Sequence, residues 1–223
     1  MAAAPGGGAP APGVLTVDLV PLVPQILELG ATLNNPTFNL LEAGGGALTS
    51  RTVQDNDGNP AQNALGQSNP FTMPFPYVKT GVGNTVVFTY QADDGGGVKQ
   101  DQETFTWLPR VYAGVAAAGT VNEAFIEALA ESELRADRGI DRNGLVWTAG
   151  QFVWVAFPQA FNPTTGLEFL LKIGGAGFPG GFVLDTAGVS VTPNTPGGVA
   201  LLYDVWRSTG SGTGLTVDLQ VSP

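Results

Sequence analysis

The chain has 223 residues, 43% hydrophobic and 13% charged, with 19 acidic against 9 basic side chains and a formal net charge of −10. It contains neither Cys nor His. That excludes disulfides, thiolate nucleophiles, zinc fingers, haem ligation, Ser-His-Asp triads and imidazole proton transfer, since each needs one of those side chains.

The acidic balance repels a phosphate backbone and leaves few cations for counterion release, so the sequence predicts no direct nucleic-acid partner. No apolar run approaches the ~18 residues of a spanning helix, which predicts no membrane partner. With 32 Gly and 17 Pro, nearly double the usual share, the chain is expected to hold many turns and few long helices.

Residues 1–13 (MAAAPGGGAPAPG) form a small-residue tract that buries too little apolar surface to offset its ordering entropy. A flexible or extended amino-terminal arm is expected there, with Ala2, Pro5, Pro10 and Pro12 as candidates for contact with a neighbouring subunit. The tract has neither the positive n-region nor the apolar h-region of a signal peptide, so no secretory routing is expected.

From Val14 the pattern changes to short segments of period-2 alternation. Leu15, Val17 and Leu19 alternate with Thr16 and Asp18, as in a half-buried strand, until Pro21 and Pro24 interrupt it. Strand-like segments follow at Thr37–Glu42, Ala47–Gln54, Phe71–Lys79, Thr85–Ala92 and Gln100–Leu108. Turn chemistry separates them at 55–59 (DNDGN) and 93–97 (DDGGG), the second a hairpin signal. Strands at about ten-residue spacing without helices read as an antiparallel sandwich over 14–109.

The second part, 110–223, is expected to be a further antiparallel β module carrying one amphipathic helix at 121–137. Thr120 and Glu123 have capping-box spacing, Val121, Phe125, Ala128, Leu129 and Leu134 mark one apolar face, and Gly139 supplies a stop. Strands are expected at Leu145–Phe157, Leu167–Ile173, Gly181–Thr192, Val199–Arg207 and Leu215–Val221. The run Phe152–Phe157 (FVWVAF) is apolar on both faces, as in a strand covered on both sides. Leu215, Val217, Leu219 and Val221 define the buried face of the last strand, which the 208–214 loop is expected to join to Val199–Arg207 as a closing hairpin.

Candidate chemistry is sparse. Asp55, Asp57 and Asn59 resemble the opening of a calcium loop, but the sixth position is Pro60 and the twelfth Gly66, where glycine and a bidentate glutamate belong. A solvated turn is the simpler reading, with a weak cation site as the alternative. The carboxylates of Asp93, Asp94, Glu123, Glu127, Glu131 and Glu133 fall in a turn or on a polar helix face, away from the apolar surroundings that raise a pKa for acid catalysis. The Gly174–Gly177 tract lacks the Lys-Ser/Thr pair of a phosphate loop. No cofactor and no enzymatic activity are expected. Among the four tryptophans, Trp154 is expected in a core, whereas Trp206, on one strand face with Asp204, is the aromatic best placed for exposure and for contact with another subunit.

The segments "FTWLPRVYAG" (Phe105–Gly114), "GQFVWVAFPQAFN" (Gly150–Asn162), "GGFVLDTAGVSVTPN" (Gly180–Asn194) and "YDVWRSTGSGTGLTVDLQVS" (Tyr203–Ser222) occur in an order that resembles the C-terminal module of a group of tailed-bacteriophage virion proteins. In that group a "ryYwG" element precedes a "yiyfayP…fG" strand and a closing "Y.vyrS…tGt" hairpin. The segments "NNPTFNLLEAG" and "NTVVFTYQAD…ETFTW" are similar to the Ig-like sandwich that commonly precedes the module. Trp206 departs from the usual small aromatic, and Ala113 stands where an aromatic is common. The resemblance implies a non-enzymatic structural subunit of a phage tail, neck or baseplate, or a head decoration. It further implies assembly in the host cytoplasm, residence in the virion, and partners that are other virion proteins and copies of the chain itself. The alternative is a carbohydrate- or receptor-binding module, which would gather three or more aromatics on a concave open face.

Overall fold

The computed structural model describes residues 13–81, 83–161, 167–173, 176–179, 181–192, 199–212 and 214–222, with backbone alone at 131, 178 and 179. The expected arm contacts at Ala2, Pro5, Pro10 and Pro12 lie outside these residues.

The protein is mainly β. In chain order the first strands are β1 (Thr16–Pro21), β2 (Ile26–Glu28), β3 (Thr32–Asn34), β4 (Thr37–Ala43), β5 (Ser50–Asp55), β6 (Gln62–Asn63), β7 (Phe71–Thr72), β8 (Pro76–Val78), β9 (Thr85–Asp93) and β10 (Lys99–Leu108). After β11 (Arg110–Ala117) comes α1 (Glu123–Glu127), then β12 (Glu131–Leu134), β13 (Ile140–Trp147), β14 (Gln151–Pro158) and a 3-10 turn at Gln159–Phe161. The chain closes with β15 (Glu168–Ile173), β16 (Ala176–Pro179), β17 (Phe182–Val191), β18 (Leu201–Ser208) and β19 (Leu215–Ser222).

Two compact units result. The first comprises 13–25, Leu33–Tyr77 and Thr85–Phe105. Its sheets have the orders β1-β4-β7 and β10-β9-β5-β6. Period-2 burial is regular where the sequence alternates: along β9, Val86, Phe88, Tyr90 and Ala92 are buried while the intervening residues are only partly covered. Phe88 is the hub of the core, with ring centroids 5.0 Å from Phe38, 5.1 Å from Tyr77 and 5.3 Å from Phe105. Tilted and edge-on contacts of this kind add to the gain from burial. The 93–97 hairpin forms as its residue types require: Asp93 Oδ1 accepts the N–H groups of Gly95 and Gly97, the latter at φ +114°, a backbone region open to glycine.

The second unit comprises Ile26–Thr32, Val78–Asn84 and everything from Thr106. Two short pieces of the first hundred residues thus belong with the second half, where a division at 109/110 is a single cut. They are held by backbone pairing: β2 runs parallel to the end of β10, Thr106 opposite Ile26, and the Leu29 and Gly30 N–H groups donate to Leu108 and Lys79. The Trp107 indole N–H donates to the Ala31 carbonyl at 2.8 Å.

Sheet β12-β11-β14-β18-β17 faces sheet β13-β19-β15-β16. Between them lie Val111, Val153, Val155, Phe157, Val217, Leu219 and Val221. The opposite face of the first sheet carries Tyr112, Trp154, Tyr203 and Val205, covered by Ile126 and Leu129 from α1 and its exit. β14 is therefore apolar on both faces because both are covered.

The single strands expected at Phe71–Lys79 and Leu145–Phe157 each divide into two, β7 with β8 and β13 with β14, whose members lie in different sheets; three further expectations need correction. The helix expected at 121–137 spans only Glu123–Glu127. Its cap is Asn122, whose Oδ1 accepts the Phe125 N–H at 2.9 Å, whereas Glu123 accepts the Thr192 N–H and closes no box with Thr120. Helix continuation loses to sheet completion. β11 has one edge on β14 and the other free for a strand, and residues 131–134 take it, with Arg110 opposite Leu134 and Ala113 opposite Glu131. Five residues fix few helical bonds against a costly nucleus, so a strand with paired amides wins. Gly114 permits the close approach, since a Cβ there would lie 2.9 Å from the Ala130 nitrogen.

Secondly, β18 and β19 make no hairpin. β18 pairs with β14 and β17, β19 with β13 and β15, and the 208–214 segment crosses between sheets. The crossing is held by bonds that replace a hairpin's ladder: Ser208 Oγ accepts the Val153 N–H, Gly212 N–H donates to Gln151, and Gly214 N–H to Trp147. Thirdly, Leu215 is 44% exposed while Val217, Leu219 and Val221 are buried, so the inward face begins two residues later than the alternation suggested.

Candidate functional site

Most buried polar groups of the two units are engaged in holding the fold. In the first unit, Arg51 Nε donates to Glu42 at 2.7 Å, Nη2 to the Leu40 carbonyl at 3.1 Å, and the Tyr90 hydroxyl also donates to Glu42. Burial, with the bond to Glu42, pushes the Tyr90 phenol up to about 12. Asp55 accepts the Asp57 and Asn59 N–H groups on Oδ1, and the Asn59 amide and Tyr77 hydroxyl on Oδ2, at 2.8 to 3.3 Å. The carboxylate that opened the calcium-like pattern thus organises its own turn, as an Asx residue does. Among the described residues no three acidic side chains converge in a metal-holding group.

Two of the other carboxylates singled out in the sequence are held by partners of their own. Asp94 accepts the Gly46 and Gly96 N–H groups, and these bonds lower its pKa. Glu133 sits 3.0 Å from Arg142 and 3.6 Å from Arg135. The glycine tract at 174–177 is only partly within the described residues.

Trp206 is less exposed than its strand pattern suggested. Its strand-face companion Asp204 is buried, its charge satisfied by the Gln159 amide at 2.7 Å and the Gly188 N–H at 3.1 Å. A buried carboxylate is tolerated when it is hydrogen-bonded, so this stretch of β18 is covered, and Trp206 is half-buried at the margin of the inter-sheet core. Its ring centroid lies 5.3 Å from Phe169, which in turn stacks on Phe182 at 4.4 Å with an interplanar angle of 11°.

These three rings, on β18, β15 and β17, line a cleft of about 490 Å³ together with Leu167, Leu170, Glu168, Gln220 and Ser222. The volume falls within the ~300–1,000 Å³ typical of small-molecule sites. Glu168 and Ser222 stand opposite each other in the β15/β19 ladder, and Leu170 opposite Gln220. The Trp206 indole N–H is buried and has no hydrogen-bond partner among the described residues. Phe169 and Phe182 escaped sequence reading because each occupies an ordinary inward position on its own strand; only the meeting of two sheets brings them to Trp206.

The chain matches no family model, no curated protein and no solved structure. The fold and site thus define a class, a mainly β protein of two units with an aromatic cleft in the second.

Proposed function

We propose that the protein is a non-enzymatic structural subunit of a bacteriophage particle, acting through contacts with other virion proteins and with copies of itself. The observation that carries the reading is the use of its buried charge. Glu28, Arg51, Asp55 and Asp204 each close on partners within the chain. Apolar side chains meanwhile stay exposed on strands, among them Leu41 on β4, Val146 on β13 and Leu202 on β18. Such a surface suits subunit contacts, which deplete charge at their centres and carry it at the rim. The resemblance of residues 34–222 to tailed-phage virion proteins supports the same reading. A mass-spectrometric inventory of purified particles, with copy number by densitometry, tests it: the chain is expected in fixed stoichiometry, and its absence from particles overturns the proposal.

A second reading, a carbohydrate- or receptor-binding module, is favoured by one observation. Phe182 and Trp206, both half-buried, line one cleft of the second unit beside the buried Phe169, and such a module would bind there.

A further inference from the structure

We infer that the Phe169–Phe182–Trp206 cleft is a binding site for a neutral pyranose sugar; this rests on the binding-module reading and names the ligand class of that site.

The lining chemistry narrows the choice. No Lys or Arg is among the described residues that line the cleft, and Glu168 places a negative charge there in a chain of net charge −10, so phosphate, sulfate and nucleotide ligands meet repulsion with nothing to offset it. A purely aliphatic ligand would cover Glu168, Gln220 and Ser222 without supplying partners, and a polar group stripped of water and left unpaired costs more than a hydrogen bond returns. A cation such as a quaternary ammonium needs ring faces arranged around it. Here Phe169 and Phe182 lie parallel at 4.4 Å and fill each other's faces, leaving no cage between them.

A pyranose presents an apolar C–H face and a rim of hydroxyl groups. The apolar wall of Trp206, Phe182 and Leu167 matches the face. The rim meets complementary groups: Glu168 accepts only, while Gln220 and Ser222 both donate and accept. The cleft volume of about 490 Å³ is that of a small-ligand site.

The test uses the full chain. Glucose, galactose, mannose, N-acetylglucosamine, lactose and cellobiose are titrated by calorimetry and by saturation-transfer NMR, with tetramethylammonium as the competing probe. Titration to about 20 mM fills a site of 1 mM Kd to about 95%. At least one sugar is expected to bind saturably with its ring C–H protons saturated, and Trp206→Ala to weaken it about tenfold or more. Because Trp206→Ala removes core contacts as well, Glu168→Gln and Gln220→Ala, both on the polar wall, are measured alongside. Each is expected to weaken binding several-fold with an unchanged melting temperature. Sugar binding indifferent to both polar-wall variants overturns the proposal. Tetramethylammonium binding that Trp206→Ala abolishes, with no sugar bound, overturns the sugar assignment and retains a binding module. No binding of either probe overturns both, and the particle inventory is unaffected by any of these results.

Discussion

Glu28 and Arg110, 82 positions apart in the chain, meet as a bidentate pair: Nε to Oε1 and Nη2 to Oε2, both at 2.9 Å. The third arm of the guanidinium reaches Ser132 Oγ at 3.0 Å. Glu28 is 6% exposed, so its charge relies on this fork, and the bond to Glu28 raises the pKa of Arg110. The pair joins the short strand β2 to β11 and β12 within the second unit. Arg110 also lends its carbonyl to the Tyr203 hydroxyl at 2.7 Å.

Removing one partner of such a pair leaves a buried charge. Arg110→Ala is expected to destabilise the second unit by about 3–5 kcal/mol, whereas the double change Glu28→Gln with Arg110→Met is expected to cost much less. Urea unfolding of the single and double variants measures the difference. Equal losses in both would show that Glu28 does not depend on Arg110.

All four tyrosines of the chain, Tyr77, Tyr90, Tyr112 and Tyr203, have raised pKa values, chiefly through burial, with Tyr90 and Tyr112 at about 12. A phenol that ionises at about 10 when unfolded and higher when folded binds more protons in the native state across that interval. Stability is therefore complete below about pH 10 and falls as pH rises beyond it, by about 1.4 kcal/mol per unit for each such group. Spectroscopic titration of the native protein should show almost no tyrosinate near pH 10, followed by cooperative release on alkaline unfolding. A gradual tyrosinate signal centred near pH 10 in the folded protein would contradict this.

The helix cap is Asn122. Asn122→Ala is expected to cost about 0.5–2 kcal/mol and Thr120→Ala almost nothing, read as the shift in unfolding midpoint. The opposite ranking would restore the longer helix suggested by the sequence.

Gly212 has no room for a side chain: a Cβ there would sit 2.3 Å from the Thr148 carbonyl oxygen and 2.6 Å from that of Trp147. These are backbone atoms, so they cannot swing away. Gly212→Ala is expected to destabilise by about 1–3 kcal/mol, whereas Gly210→Ala, where the nearest atom is the Trp147 ring edge at 4.0 Å, should be tolerated. Thermal melts of the two variants distinguish them.

Val217 and Leu215 share a strand parity but not a fate. Val217 is 1% exposed; Val217→Asp buries a carboxylate without a partner and is expected to prevent soluble folding. Leu215→Asp, at a half-open strand end, is expected to leave the fold intact. Soluble yield and circular dichroism decide between these outcomes.

Composition alone set the chemical limits: without His or Cys the chain has no imidazole and no thiolate, whatever its fold. Alternation located β1, β9, β15 and β19 to within a few residues, and 93–97 announced its hairpin, because both signals are local: a strand's two faces and an Asx turn are written in adjacent residues. Partner choice is not local. Residues 131–134 carry helical spacing, yet they became strand β12 because β11 offered unpaired amides. The stretch after Ser208 looks like a hairpin loop, yet it crosses to the other sheet because Ser208, Gly212 and Gly214 bond to the β13–β14 region instead of to each other. The same reason hid the cleft and the Glu28–Arg110 fork. Their members are unremarkable in their own segments, and distant backbone pairing brings them within bonding distance only after the sheets have assembled.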